Sequence, residues 1–350
     1  MAPERVAVLR FGALGDVVLT SASLAALARA WPTAEIIYAT KSRWAPLVAH
    51  NPHVKRLLLL EDGEPLSSMR HRLLALKPDC ILDLHDNLRS RQLRNVASRN
   101  NVTIWHKRPF WHGVAVRLRL TTYKATMHIA ARYHQAAEQL VGSYANEGPQ
   151  ELPRCGLGLW ISPEDQQGAE RRLQRAGLDL EQPIVGIAPG AMWATKRWPT
   201  ERSAELAKTA IDAGLQVVLT GSPAEKDVTA QVAQAAKGAV DLAGQMGLGE
   251  LGGMINRCAA FVANDSGPMH MARALGVPTL AFFGCTDPAQ FDFAGHRLMY
   301  ANVECAPCSL YGLASCPRRH FRCMLDIETD AAWQALQGLL RGGRRSPVFG

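Results

Sequence analysis

The feature that most constrains this chain is a regular alternation. Short apolar, β-branched-rich runs are each followed by a longer segment of helical period. A strand covered on both faces by crossover helices has no polar face, so it reads as a continuous apolar run rather than an alternating one. In the first half such runs are "RVAVLRF", "AEIIYAT", "VKRLLLL", "DCILDLH" and "VTIWH", with helices predicted over Val17–Trp31 and Pro65–Leu76 between them. In the second half they are "PIVGIAPG", "LQVVLTG", "VDLAG", "AAFVAND" and "PTLAFFG", with helices predicted near 201–213, 224–236, 249–257 and 267–275. Strand–helix alternation of this kind makes parallel, doubly wound α/β sheets.

From Asn146 to Pro183 the texture changes to Pro, Gly and charge, with one helix predicted at Glu164–Ala176. A chain of 350 residues is long for one core. We therefore expect two Rossmann-like domains, 1–160 and 161–325. An amphipathic helix follows near 326–340, within a C-terminal segment 326–350 that could dock back on either domain. No run approaches the roughly 18 apolar residues of a membrane span, and the N-terminus opens into a strand rather than a leader. The expected location is cytoplasmic.

The net charge of +8 is concentrated. From Asn87 to Ala137 there is no Asp or Glu, while ten Lys and Arg residues, Arg89 and Arg132 among them, fall in that stretch. A basic segment of this length points to an anionic partner.

In parallel sheets, ligands collect where strands end and helices begin, because several loops converge there and helix N-termini offer free N–H groups. Three loops have that form. In "FGALGD", Gly12 and Gly15 permit a sharp turn and Asp16 falls at the start of a helix. Asp16 there is either an N-cap or a carboxylate held ionised as a general base. A dinucleotide-binding fingerprint does not fit, since its third glycine and downstream acid are out of register. In "APGAMWATKRWP", Gly190 allows close backbone approach and Lys196 offers a point charge suited to phosphate, while Trp193 and Trp198 read as loop packing. In "VANDSGPMHMARALGVP", the backbone around Ser266 and Gly267 opens a helix with Pro268 in its first turn, a ready diphosphate site. His270 is either a core histidine or a ligand contact. In "LTGSPAEKD", Glu225 is either a first-turn acid or a ribose contact.

Taken together, "RFGALGDVVLTSASLAAL", "DLHDNLRS", "PGAMWATKRWP", "GSPAEKD" and "NDSGPMHMARALGVPTLAFFG" resemble, in order and spacing, the heptosyltransferases of glycosyltransferase family 9. The resemblance covers nearly the whole chain. It implies a GT-B fold, two Rossmann-like domains facing a central cleft with the C-terminal helix of 326–350 packing back on the first domain, and an inverting transfer of heptose from ADP-heptose to the lipopolysaccharide inner core that needs no cofactor. Asp16 matches the family's catalytic carboxylate, and Lys196 the lysine that steadies the leaving diphosphate. Gly190, Thr195, Lys196, Glu225, Met246, Asp265, Ser266, Gly267 and His270 match donor-binding positions, Met246 near the adenine. Gly15, Arg89 and Arg132 are acceptor-side positions. The implied partner is the anionic Kdo and lipid A phosphate core, not nucleic acid, with peripheral contact at the inner membrane. Another nucleotide sugar or a protein acceptor is the nearest alternative. A nucleic-acid-binding protein with a metal ribbon is a more distant one, which leaves the three loops unexplained.

Four of the eight cysteines, Cys305, Cys308, Cys316 and Cys323, lie within nineteen residues. That spacing fits a structural zinc or iron site, or four reduced thiols.

Overall fold

The computed structural model describes residues 2–97, 101–106, 127–145, 151–152 and 156–343. These divide into two compact units, the first ending at Trp160 and the second beginning at Ile161. The basic residues Arg99, Lys107, Arg108, Arg117, Arg119 and Lys124 lie outside the described residues.

The first unit holds strands β1 (Arg5–Leu9), β2 (Glu35–Lys41), β3 (Arg56–Leu60), β4 (Cys80–Asp83) and β5 (Val102–Ile104). They form one sheet of order β3-β2-β1-β4-β5, every pair parallel. Its helices are α1 (Leu14–Leu19), α2 (Ser21–Ala30), α3 (Leu66–Ala75), α4 (Leu88–Arg94) and α5 (Ile129–Tyr144). Side chains alternate across a strand, so Ala7, Leu9, Ile37 and Ile81 share one face and bury against Met69 and Leu73 of α3 and Leu93 of α4. Each large side chain removed from water in this way contributes about 1.5–3 kcal/mol. The single helix expected from Val17 begins earlier and is interrupted at Thr20. There the Thr20 hydroxyl donates to the Val17 carbonyl at 2.7 Å and the Ser21 hydroxyl to that of Val18 at 2.8 Å, side-chain bonds that compete with the helical ladder. Helix α5, absent from the expected elements, packs on α2.

The second unit holds α6 (Pro163–Arg175), β6 (Ile184–Ala188), α7 (Thr200–Asp212), β7 (Gln216–Leu219), α8 (Lys226–Ala235), β8 (Val240–Asp241), α9 (Leu248–Arg257), β9 (Ala260–Asn264), α10 (Gly267–Ala274), β10 (Thr279–Phe283), β11 (Arg297–Tyr300), α11 (Arg322–Leu325) and α12 (Thr329–Gly342). Its strands form a parallel sheet of order β11-β10-β9-β6-β7-β8, with β11 an edge strand beyond those expected. Helix α6 starts where its residues dictate: the Ser162 side chain accepts the Asp165 N–H at 2.9 Å, and Pro163, which has no N–H to satisfy, follows it.

Ala332, Leu336 and Leu339 of α12 are buried in the second unit's core with Val185, Ile187, Leu206 and Phe282. The apolar stripe of an amphipathic helix takes whichever core has room, and this one lies against α7 and β10.

In each sheet the winding reverses beside the unit's first strand, between β1 and β4 and between β6 and β9. Loops leaving neighbouring strands diverge at such a point and leave a crevice at the strands' carboxyl ends.

Candidate active site

At the first switch point, β1 runs into Arg10, Phe11 and Gly12 before α1 begins. Gly12 has φ +133°, and a Cβ there would lie 3.1 Å from Trp44 Nε1, so only glycine fits. The Trp44 indole N–H donates to the Phe11 carbonyl at 3.2 Å and pins the turn from the other side. Asp16 is the third residue of α1 rather than its N-cap, which is Ala13. Its Oδ2 accepts the Ala13 N–H at 3.2 Å, so it does return a bond to the helix start. The same carboxylate is ion-paired to Arg10 and accepts the Tyr133 hydroxyl at 3.1 Å on Oδ1. A cap alone needs neither partner. Gly15 stands beside Asp16 in that first turn.

Arg89, from α4 after β4, places its guanidinium 6.0 Å from the Phe11 ring. Arg132, from α5, lies 5.1 Å from the Trp105 ring, and Arg10 is 5.8 Å from that same ring. The structure thus brings Arg89 and Arg132 to the aromatic surround of the Asp16 turn. The basic stretch is less bare than its residue count implies. Arg91 and Arg94 meet Asp86, Arg94 also meets Asp83, and both acids stand just before the stretch begins.

At the second switch point, Asn264 at the end of β9 joins two loops. Its amide donates to the carbonyls of Pro189 and Gly190, and its Oδ1 accepts the Trp198 N–H at 2.9 Å. Trp198 is buried, stacked 4.2 Å from Phe282, and is core rather than platform. The loop so held carries Lys196, whose Nζ lies 2.7 Å from Asp265 Oδ2. Burial alone would raise the Asp265 carboxyl, but Lys196 and the Thr286 hydroxyl, 2.7 Å away, bring it below the usual carboxylate range. Ser266 is the N-cap of α10, yet its hydroxyl bonds none of the helix N–H groups and is buried without a partner among the described residues. A hydroxyl left this way keeps its hydrogen-bonding capacity for another group. Gly267 opens the helix. His270 is buried one turn on, its ring 4.7 Å from that of Phe291.

Gly190 and Glu225 converge: a Cβ on Gly190 would fall 2.3 Å from Glu225 Oε1, so the glycine makes the space the glutamate fills. Glu225 also accepts the N–H and hydroxyl of Ser222, each at 2.7 Å, closing a capping box. Met246 lies half-buried in the segment between β8 and α9. Thr195 precedes Lys196 in the same loop. Its hydroxyl donates to the Leu313 carbonyl at 3.0 Å and accepts the Leu313 N–H at 2.7 Å, tying the lysine loop to the cysteine segment.

The model of glycosyltransferase family 9 (heptosyltransferase) matches residues 66–311. The chain belongs to this family. It is 29% identical to lipooligosaccharide heptosyltransferase 2 of Haemophilus influenzae over 292 residues, 79% of this chain and 82% of that one. It is 26% identical to lipopolysaccharide heptosyltransferase 1 of Pseudomonas aeruginosa over 343 residues, 93% and 92% of the two. The crystal structure of a family 9 glycosyltransferase from Veillonella parvula superposes with a TM-score of 0.79 at 23% identity, covering 97% of this chain and 98% of that one. The fold is therefore the GT-B fold of family 9, and the protein is a glycosyltransferase of the lipopolysaccharide heptosyltransferase family.

The late cysteines of this family 9 transferase do not assemble as a metal shell. Among the described residues, no three His, Cys, Asp or Glu side chains converge to hold an ion. Cys305 Sγ lies 3.6 Å from His320 Nε2, while Cys323 turns into the second unit's core. Burial, reinforced by the neighbouring thiols of Cys285, Cys305 and Cys316, pushes the Cys308 and Cys323 thiols up to about 12.

Sequence reasoning missed Arg10, Tyr133 and Asn264. A charged residue inside the apolar run "RVAVLRF" was the one available signal for Arg10. Tyr133 is 117 residues from Asp16, and nothing local marks it.

Proposed function

We propose that this chain transfers heptose from ADP-heptose to the anionic inner core of lipopolysaccharide, a Kdo-lipid A or heptosyl-Kdo acceptor, with inversion at the anomeric carbon. The observation that carries the donor assignment is the Lys196–Asp265 pair beside the unpartnered Ser266 hydroxyl at the start of α10. Lysine charge, hydroxyl and helix N–H groups are what a diphosphate requires. One related structure is described as an ADP-heptose lipopolysaccharide heptosyltransferase II from Escherichia coli, with a TM-score of 0.71 at 23% identity, covering 97% of this chain and 99% of that one.

In this reading Asp16 removes the proton from the acceptor hydroxyl as that oxygen bonds to the anomeric carbon. The bond from that carbon to the diphosphate oxygen breaks, and ADP leaves with the electron pair, its growing charge met by Lys196 and the α10 N-terminus. Gly190, Glu225 and Met246 face the nucleoside. Arg89 and Arg132 take acceptor anions near Gly15. No described helix is long and apolar enough to cross a membrane. We place the enzyme in the cytoplasm with peripheral contact at the inner membrane, where its acceptor lies.

The test is ADP release from ADP-heptose with a panel of truncated cores, beside Asp16→Ala and Lys196→Ala. Turnover with one core, lost in Asp16→Ala while donor binding persists, is the expected result. Donor binding with no core turned over moves the acceptor to another class, a protein included. Failure to bind ADP-heptose overturns the reading.

A further inference from the structure

The strongest feature outside the assigned residues is the surround of the Asp16 carboxylate. Arg10 is buried to 1% exposure at the end of β1. Its guanidinium pairs with Asp16, donates to the Leu84 carbonyl, and sits 5.4 Å from the Tyr133 ring and 5.8 Å from the Trp105 ring. An arginine held between a carbonyl and two aromatic faces has one orientation, and its charge acts with little screening from solvent. Tyr133, wholly buried in α5, directs its hydroxyl to Asp16 Oδ1 at 3.1 Å.

We propose that Arg10 and Tyr133 are positioning residues for the transfer step, holding the Asp16 carboxylate ionised and in a single orientation at the Gly12 turn. The inference rests on the reading of Asp16 as the base. Burial drives the Tyr133 hydroxyl well above its ordinary range, so it stays protonated and only donates. Burial opposes the charge on Arg10, but the Asp16 carboxylate paired to it keeps the guanidinium protonated. Both groups favour the ionised carboxylate over the neutral one. Of the other titratable groups around the turn, Tyr38 is in electrostatic reach of Arg10, Asp16 and Tyr133, and burial drives its own hydroxyl up so that it stays protonated. Tyr38 of β2 bonds Thr20, Arg43 pairs with Asp62, His85 packs edge-on to Phe11, Arg89 lies over the Phe11 ring and Arg132 over Trp105.

The experiment is the pH dependence of ADP release, with ADP-heptose and a truncated core, for the wild type, Asp16→Asn, Tyr133→Phe, Arg10→Lys and Arg10→Met. ADP affinity is measured by calorimetry, and folding is checked by urea unfolding. We expect Asp16→Asn to lose turnover. Tyr133→Phe should lower kcat roughly tenfold and move the acid limb of the profile up by about half to one pH unit, since it removes a donor to the charged form. ADP affinity should be unchanged. Arg10→Met should move the limb further, and Arg10→Lys should recover part of that shift. If Asp16→Asn is inactive while Tyr133→Phe and Arg10→Lys keep the wild-type kcat and acid limb, the positioning inference is overturned and the base stands. If Asp16→Asn turns over normally, the base reading fails and the inference with it. Should Arg10→Met not fold, Tyr133→Phe decides alone.

Discussion

Lys196 Nζ stands 2.7 Å from Asp265 Oδ2, an ion pair formed between the loops that leave β6 and β9. Asp265 is 6% exposed, so removing the lysine strands a buried charge. Lys196→Met should destabilise the second unit by about 3 kcal/mol at pH 7, because an unpaired buried carboxylate costs more than the pair contributed. Asp265→Asn with Lys196→Met should recover much of that loss. Urea midpoints of the four proteins of the cycle check it, and strictly additive effects would refute it.

The same pair sets a pH dependence. The folded carboxyl of Asp265 is depressed, so its contribution is complete above the unfolded value of about 3.9 and is lost as pH falls through the lower folded value. Wild-type stability should therefore drop steeply below about pH 4. In Lys196→Met that acid-side drop should shrink, which unfolding midpoints between pH 3 and 7 will read.

Ser266 separates binding from stability. Its hydroxyl makes no bond among the described residues, so Ser266→Ala should leave the urea midpoint within about 0.5 kcal/mol. If the hydroxyl meets the diphosphate, ADP affinity should fall roughly tenfold, the worth of one hydrogen bond to a charged group. Titration calorimetry with ADP gives the answer; unchanged affinity would remove Ser266 from the donor site.

Gly12 admits no side chain. Gly12→Ala forces φ +133° on an alanine and crowds Trp44. A loss of about 1–3 kcal/mol is expected. Turnover should fall more than stability, because Arg10 and Asp16 flank the turn, and ADP affinity should hold.

Much of the fold was legible because parallel strands buried on both faces announce themselves as unbroken apolar runs, from "RVAVLRF" to "PTLAFFG". Strand β11, "RLMY", is short and opens on an exposed arginine, so it carries no such signal. The break at Thr20 turns on hydroxyl bonds that propensity does not encode. In the site, the loops were legible and their cross-links were not. Lys196 and Asp265 each read as single residues, and their pairing depends on β6 and β9 being neighbours in the sheet. The acids that meet Arg94 in the basic stretch were hidden for the same reason, since Asp83 and Asp86 precede it in the chain and reach it through the β4–α4 turn. Cysteine spacing likewise says nothing of where side chains turn, and Cys323 turns inward.

The match to the family model closes at residue 311, but the second unit's interior does not. Trp198 donates its indole N–H to the Ile327 carbonyl at 3.1 Å, and Leu336 and Leu339 fill the same interior from the last helix. An expression boundary drawn at the edge of the recognisable family segment would therefore cut through a hydrophobic interior. A fragment meant to present the Lys196 and Ser266 loops by itself should run from about Ser162 through Gly342.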